Sequence, residues 1–165
     1  MKFFSMVLLA VLAMSFTGFS STSQAQEYVH SEQELLRYVK AHGAELDGSS
    51  KTFVDQAVRE ISQKWTLASL EKYAHPQLIT SKPRETWQKM FSMFSQKLGS
   101  LKSYIGSTGE AKIEVSPKGQ LGFTARYVSA IIGQKGNAKV QIQLVRLNNT
   151  WYITHFMVYS DSFIE

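Results

Sequence analysis

The chain contains no cysteine. That absence removes disulfides, thiolate nucleophiles, sulfur-ligated metals and lipoprotein acylation together. Proline is scarce, with only Pro76, Pro83 and Pro117, so long stretches are free to form regular structure. Carboxylates are missing altogether between Val115 and Ser160. Acid–base chemistry in that region would have to draw its carboxylate from elsewhere, with Glu60 and Glu71 as unplaced candidates. The four histidines, His30, His42, His75 and His155, show neither HExxH nor His-x-His spacing, so no metal is expected. No GxSxG elbow, Walker-type loop or dinucleotide fingerprint occurs, and no cofactor is expected.

At the N-terminus, Lys2 precedes an apolar run from Phe3 to Phe16, followed by small polar residues ending at Ser23-Gln24-Ala25. The run falls short of the roughly twenty residues that cross a bilayer. It fits a secretory signal peptide over 1–25, with cleavage after Ala25. No later run is long enough to anchor the chain in a membrane. The expected destination is the periplasm or the extracellular medium, and a cysteine-free exported domain suits a bacterial host. After the signal segment we expect an N-terminal helix and loop over 26–50 and an α+β domain over 51–165.

The apolar spacing divides the remainder into a helical half and a strand half. Ser31 and Glu34 form a capping box before Leu35, Leu36 and Val39, predicting a short helix that ends near Gly43. Asp47-Gly48-Ser49-Ser50 reads as a loop. Thr52 and Asp55 then cap a second helix carrying Val54, Ala57, Val58, Ile61 and Trp65, which His75-Pro76 stops. A third helix starts after Lys82-Pro83, presents Trp87, Met90, Phe91, Phe94 and Leu98 on one face, and ends at Gly99. From about residue 102 the period falls to two, predicting strands at 102–106, 110–116, 120–132, 137–147 and 150–159. Turns are expected at Ser116-Pro117-Lys118-Gly119, Gly133-Gln134-Lys135-Gly136 and Asn148-Asn149.

These turns set the register, and a slip of one residue would exchange the two faces. With Leu147 opposite Thr150 and Ile132 opposite Asn137, one face collects Phe123, Ala125, Tyr127, Ser129 and Ile131, then Val140, Ile142 and Leu144, then Trp151, Ile153, His155 and Met157. That face should pack on the helices. Its polar members gather around Tyr127, Ile142 and His155 in one row, with Ser129 in the next. Tyr127, Ser129, His155, Ile142 and Trp151 therefore form the candidate pocket, with His155 as the titratable group. The other face is too apolar for a purely solvated surface. Arg126, Val128, Val145, Tyr152 and Phe156 are the candidate interface there, and Glu110 should lie opposite Arg126.

Helices followed by a meander, with the runs ETWQKMFSMFSQKLGSLKS and AKVQIQLVRLNNTWYITHFMV, resemble the nuclear transport factor 2-like superfamily, in particular its small secreted bacterial members of unknown function. The resemblance covers roughly residues 54–160. It rests on Trp87, the Leu98-Gly99-Ser100-Leu101-Lys102 helix exit and a last strand opened by Trp151. It implies helices packed on one face of a curved antiparallel meander sheet, with a cavity between them that members use for catalysis, binding or pairing. Enzymes of this superfamily place an acid or base in the cavity, and the inward face here offers no carboxylate.

Gly133-Gln134-Lys135-Gly136 also matches the GXXG loop of KH nucleic-acid-binding domains, but strictly alternating residues follow it, so an ordinary hairpin is expected and no nucleic-acid partner. Two functions stay open. One is a non-catalytic binding or assembly module that dimerises or docks a protein partner through the outer sheet face, with the cavity filled or holding a small apolar ligand. The other is a small cavity enzyme or carrier acting on an apolar molecule through His155 and Tyr127.

Overall fold

A computed structural model describes residues 27–164, so the expected signal segment over 1–25 lies outside the described residues. The element order is α1 (Glu32–Lys64), α2 (Leu67–Glu71), α3 (Pro76–Thr80), α4 (Arg84–Leu98), β1 (Leu101–Val115), β2 (Leu121–Gly133), β3 (Asn137–Leu147) and β4 (Thr150–Tyr159). The fold class is α+β: helices come first and an antiparallel meander of order β1-β2-β3-β4 follows. The helices cover one face of that sheet. Among the described residues no helix is long and apolar enough to cross a membrane.

The predicted loop at 47–50 does not exist; α1 runs through it, and the boundary expected at residue 50 falls inside one helix. Gly48 and two serines are poor helix formers, but here tertiary contacts outweigh propensity. Ser50 is fully buried, its Oγ 2.9 Å from Tyr127 Oη and 3.1 Å from the Asp47 carbonyl. Ser49 Oγ accepts the Trp151 indole N–H at 3.0 Å, and the Asp47 carboxylate accepts the Ala111 backbone N–H at 2.7 Å. The small polar residues form the stretch of α1 that satisfies polar groups of the sheet.

The capping box expected at Ser31 forms, with Ser31 Oγ accepting from Glu34 N–H and Glu34 accepting from His30 N–H. The second predicted helix does not run on to His75-Pro76. It ends at Trp65, whose φ of 46° is a left-handed conformation ordinarily left to glycine. Its indole N–H donates to the Gly99 carbonyl at 2.7 Å, which ties the end of α1 to the exit of α4. Thr66 then caps α2, and His75-Pro76 opens α3. Of the expected α4 face, Trp87, Phe91, Phe94 and Leu98 are buried and Met90 is partly buried, and Gly99 (φ 68°) ends the helix.

The two first strands predicted from the sequence are one strand, β1, with irregular pairing between Leu101 and Ser103 and between Tyr104 and Gly106. The register of β2 on β3 follows the hairpin reading, with Ile132 opposite Asn137, and Glu110 lies opposite Arg126. β3 and β4 begin as expected, with Leu147 opposite Thr150 and Leu144 opposite Ile153. The next pairs are Gln143 with His155 and Ile142 with Phe156, so Thr154 is an extra residue in β4. A bulge of this kind reverses the alternation beyond it. Phe156 and Val158 consequently turn inward, and the inward placement of His155 and Met157 is overturned.

The Gly133–Gly136 loop packs directly on the end of α4. Gln134 and Lys135 donate their backbone N–H groups to the Ser100 and Leu98 carbonyls, and a Cβ on Gly133 would lie 2.2 Å from the Leu98 oxygen. Gly133→Ala must push these backbones apart. We expect it to lower unfolding free energy by about 1–3 kcal/mol in urea denaturation; an unchanged midpoint would contradict this packing.

Candidate binding groove

The pocket expected from the sequence is not assembled. Tyr127, Ser129, Ile142 and Trp151 lie in the core between sheet and helices, at 2 %, 0 %, 0 % and 5 % exposure. Their polar atoms are engaged: Tyr127 with Ser50 and the Asp47 carbonyl, Ser129 with Tyr104, Trp151 with Ser49. Burial pushes the Tyr127 phenol up, reinforced by Asp47 and Asp55 and opposed by the Ser50 hydrogen bond, which keeps it neutral. His155, paired with Gln143 next to Arg126, belongs to the opposite face. The row joining Tyr127 and His155 would require β4 without its bulge.

The outer face keeps Arg126, Val128, Val145 and Tyr152, whereas Phe156 leaves it and is buried against Phe91, ring centroids 6.2 Å apart. What remains is a mixed surface. A shallow depression of about 670 Å³ crosses it, bordered by Glu110, Lys112, Glu114 and Arg126 as well as Val128 and Val145. Among the described residues there, opposite charges alternate with short apolar side chains.

A titratable cluster that sequence reading did not single out joins α1 to β1. Asp55 Oδ1 accepts from Tyr104 and from Ser107, each at 2.5 Å, and Lys51 bonds its other oxygen at 2.8 Å. Burial pulls the Asp55 carboxyl upward, but the hydrogen bonds from Lys51, Ser107 and Tyr104 outweigh it and hold the group below its ordinary value. Tyr104 is pushed up, first by burial and then by Asp55, and Arg59 stacks 4.4 Å from its ring centroid. Each member is satisfied by another, so the cluster acts as a clasp between helix and sheet. Among the described residues no group of three metal-ligating side chains comes together.

A groove of about 600 Å³ lies between β4 and the α3–α4 segment. One wall is α4, through Met90, Met93 and Phe94; the other is β4 from Thr154 to Val158. Adjacent strand residues face opposite ways. A concavity touched by five in succession therefore runs along the strand's backbone edge and not over one face of the sheet. β4 is an edge strand, and only its first half is covered: Ile153 N–H donates to the Tyr73 carbonyl at 2.9 Å, and His75 N–H donates to the Ile153 carbonyl at 2.8 Å. Residue 74 pairs with Ile153 in parallel, after which His75-Pro76 turns the chain away into α3. His75, edge-on to Tyr152 at 6.0 Å, and Lys82, 5.9 Å above the Trp87 ring, stand beside the groove, and no carboxylate lines it among the described residues.

Met93 and Lys82 carried no recognisable sequence signal. The groove's β4 wall did carry one: the apolar positions shift from odd at Trp151 and Ile153 to even at Phe156 and Val158.

The Asp55 clasp makes stability depend on pH with a definite sign. Because its folded pKa lies below the unfolded value of about 3.9, its contribution is complete above that value and is lost as pH falls through the folded pKa. Asp55→Asn should flatten the fall of unfolding free energy below about pH 4 relative to wild type; parallel curves would contradict the clasp. In comparisons with known proteins, no family model, curated protein or solved structure matches this chain.

Proposed function

We propose that the protein is an exported, non-catalytic binding module whose site is the groove between β4 and α4. One observation carries this reading: the groove is walled by apolar side chains that remain accessible, with Met93 and Met157 each 38 % exposed, while the interior beneath the sheet is packed. Accessible apolar concavities of roughly 300–1,000 Å³ are the usual form of a ligand site. Methionine suits such a wall because its flexible thioether adapts to varied shapes.

The alternative, a small cavity enzyme or carrier using His155 and Tyr127, needs both groups in one space, and they occupy opposite faces of the sheet. Homodimerisation or docking through the outer face keeps Arg126, Val128, Val145 and Tyr152 but is less favoured, because Gln141, Gln143 and Arg126 interrupt its apolar residues. We place the chain among nuclear transport factor 2-like proteins. The order of helices before an antiparallel meander, and their packing on one sheet face, support that placement.

The reading is tested with anilinonaphthalene sulfonate, an anionic apolar dye matched to a groove with a basic rim. Its fluorescence should rise on mixing with the wild-type protein and fall back at least several-fold with Met93→Glu, whose side chain is partly in solvent and outside the core stripe. No enhancement with wild type, or an equal enhancement with the variant, would contradict the assignment.

A further inference from the structure

Resting on the groove reading, we infer that the occupant is an extended peptide segment of another protein, added as a strand to the bare half of the β4 edge. The protein already begins this pairing with its own chain. Residues 73–75 lie parallel against β4 at Ile153 and then depart at Pro76. Along the same edge, from Thr154 to Val158, no strand lies against β4 among the described residues. Unpaired edges invite pairing, and native proteins ordinarily blunt them with charge, proline or cover. Here the sequence Thr154-His155-Phe156-Met157-Val158 carries neither an acid nor a lysine nor a proline, and the helix beside it supplies an apolar wall instead of a lid.

Strand addition takes affinity from main-chain hydrogen bonds and selectivity from pockets for alternate side chains. The groove offers both, a backbone edge on one side and Met90, Met93 and Phe94 on the other. The bare edge faces α4 across the groove, so the edge of a second copy would bring its own flanking helices against α4. Charge completes the description of the partner. Lys82, His75 and His155 stand at the groove, and no Asp or Glu lines it among the described residues. The segment is therefore apolar at alternate positions and bears a carboxylate, from an acidic side chain or a chain terminus, that meets Lys82.

The test is to pan a random peptide library against the intact protein and resynthesise the binders. Each binder is then compared with its copy N-methylated at alternate amides, which keeps side chains and charge but removes the donors of one backbone edge. Strand addition predicts binding at least about tenfold weaker for one of the two N-methylation phases. It also predicts binding several-fold weaker to Lys82→Gln, and slower hydrogen exchange of backbone amides between His155 and Tyr159 when unmodified peptide is present. Equal binding of both methylated phases, unchanged exchange at β4, or failure to recover any peptide sensitive to Met157→Glu would each overturn the inference. Met157 is partly in solvent, so that variant should fold, and the exchange measurement uses the wild-type chain alone. Dye binding in the groove without strand-like peptide binding would leave the binding module standing and remove the peptide.

Discussion

The insertion of Thr154 as an unpaired residue in β4 determines which side chains fill the core and which line the groove. With Gln143 against His155 and Leu144 against Ile153, the strand turns Trp151 and Ile153 inward before the bulge and Phe156 and Val158 inward after it. Phe156 then stacks near Phe91, which also meets Phe94 and Trp87, so the helical layer gains an aromatic junction with the edge strand. Aromatic pairs at such separations contribute about 0.5–1.5 kcal/mol each beyond area burial. The bulge is held locally by Thr154 itself, whose hydroxyl donates to the Gln143 carbonyl at 3.3 Å.

A second constraint acts through α1. A helix of 33 residues laid on the sheet must accommodate the polar atoms it covers. Asp47, Ser49 and Ser50 do so near its middle, and Asp55 does so a turn further on. Arg146 extends the pattern at the helix's exposed flank by pairing with Glu45 through both terminal nitrogens. The hydroxyls of Tyr104, Tyr127 and Ser129 on the inner sheet face are thereby engaged in fixing helix to sheet. The edge of β4, by contrast, retains open apolar surface.

Much of this was legible from residues. The capping box at Ser31, the α4 stripe from Trp87 to Leu98, the three hairpin turns and the pairing of β2 with β3 all follow from local rules, because each depends on residues close in sequence. The continuity of α1 through Gly48 was not legible, since what stabilises it comes from Tyr127, Trp151 and Ala111, far along the chain. The face of His155 was missed for a different reason. Strict alternation past Thr154 places His155 and Met157 inward, whereas Phe156 and Val158 are the better core residues and mark a change of phase. The groove was hidden because it lies between a strand edge and a helix flank, a juxtaposition that no spacing within one element records.

The most direct measurement is a nuclear Overhauser spectrum of the protein, with its aromatic and methyl protons assigned. Cross-peaks from the Phe156 ring to Ile142 and Phe91, with none between the imidazole of His155 and the phenol of Tyr127, are the predicted result. Cross-peaks joining His155 to Tyr127 or Ile142, with Phe156 contacting only solvent-facing neighbours, would mean that β4 is unbroken and that the groove as described does not exist.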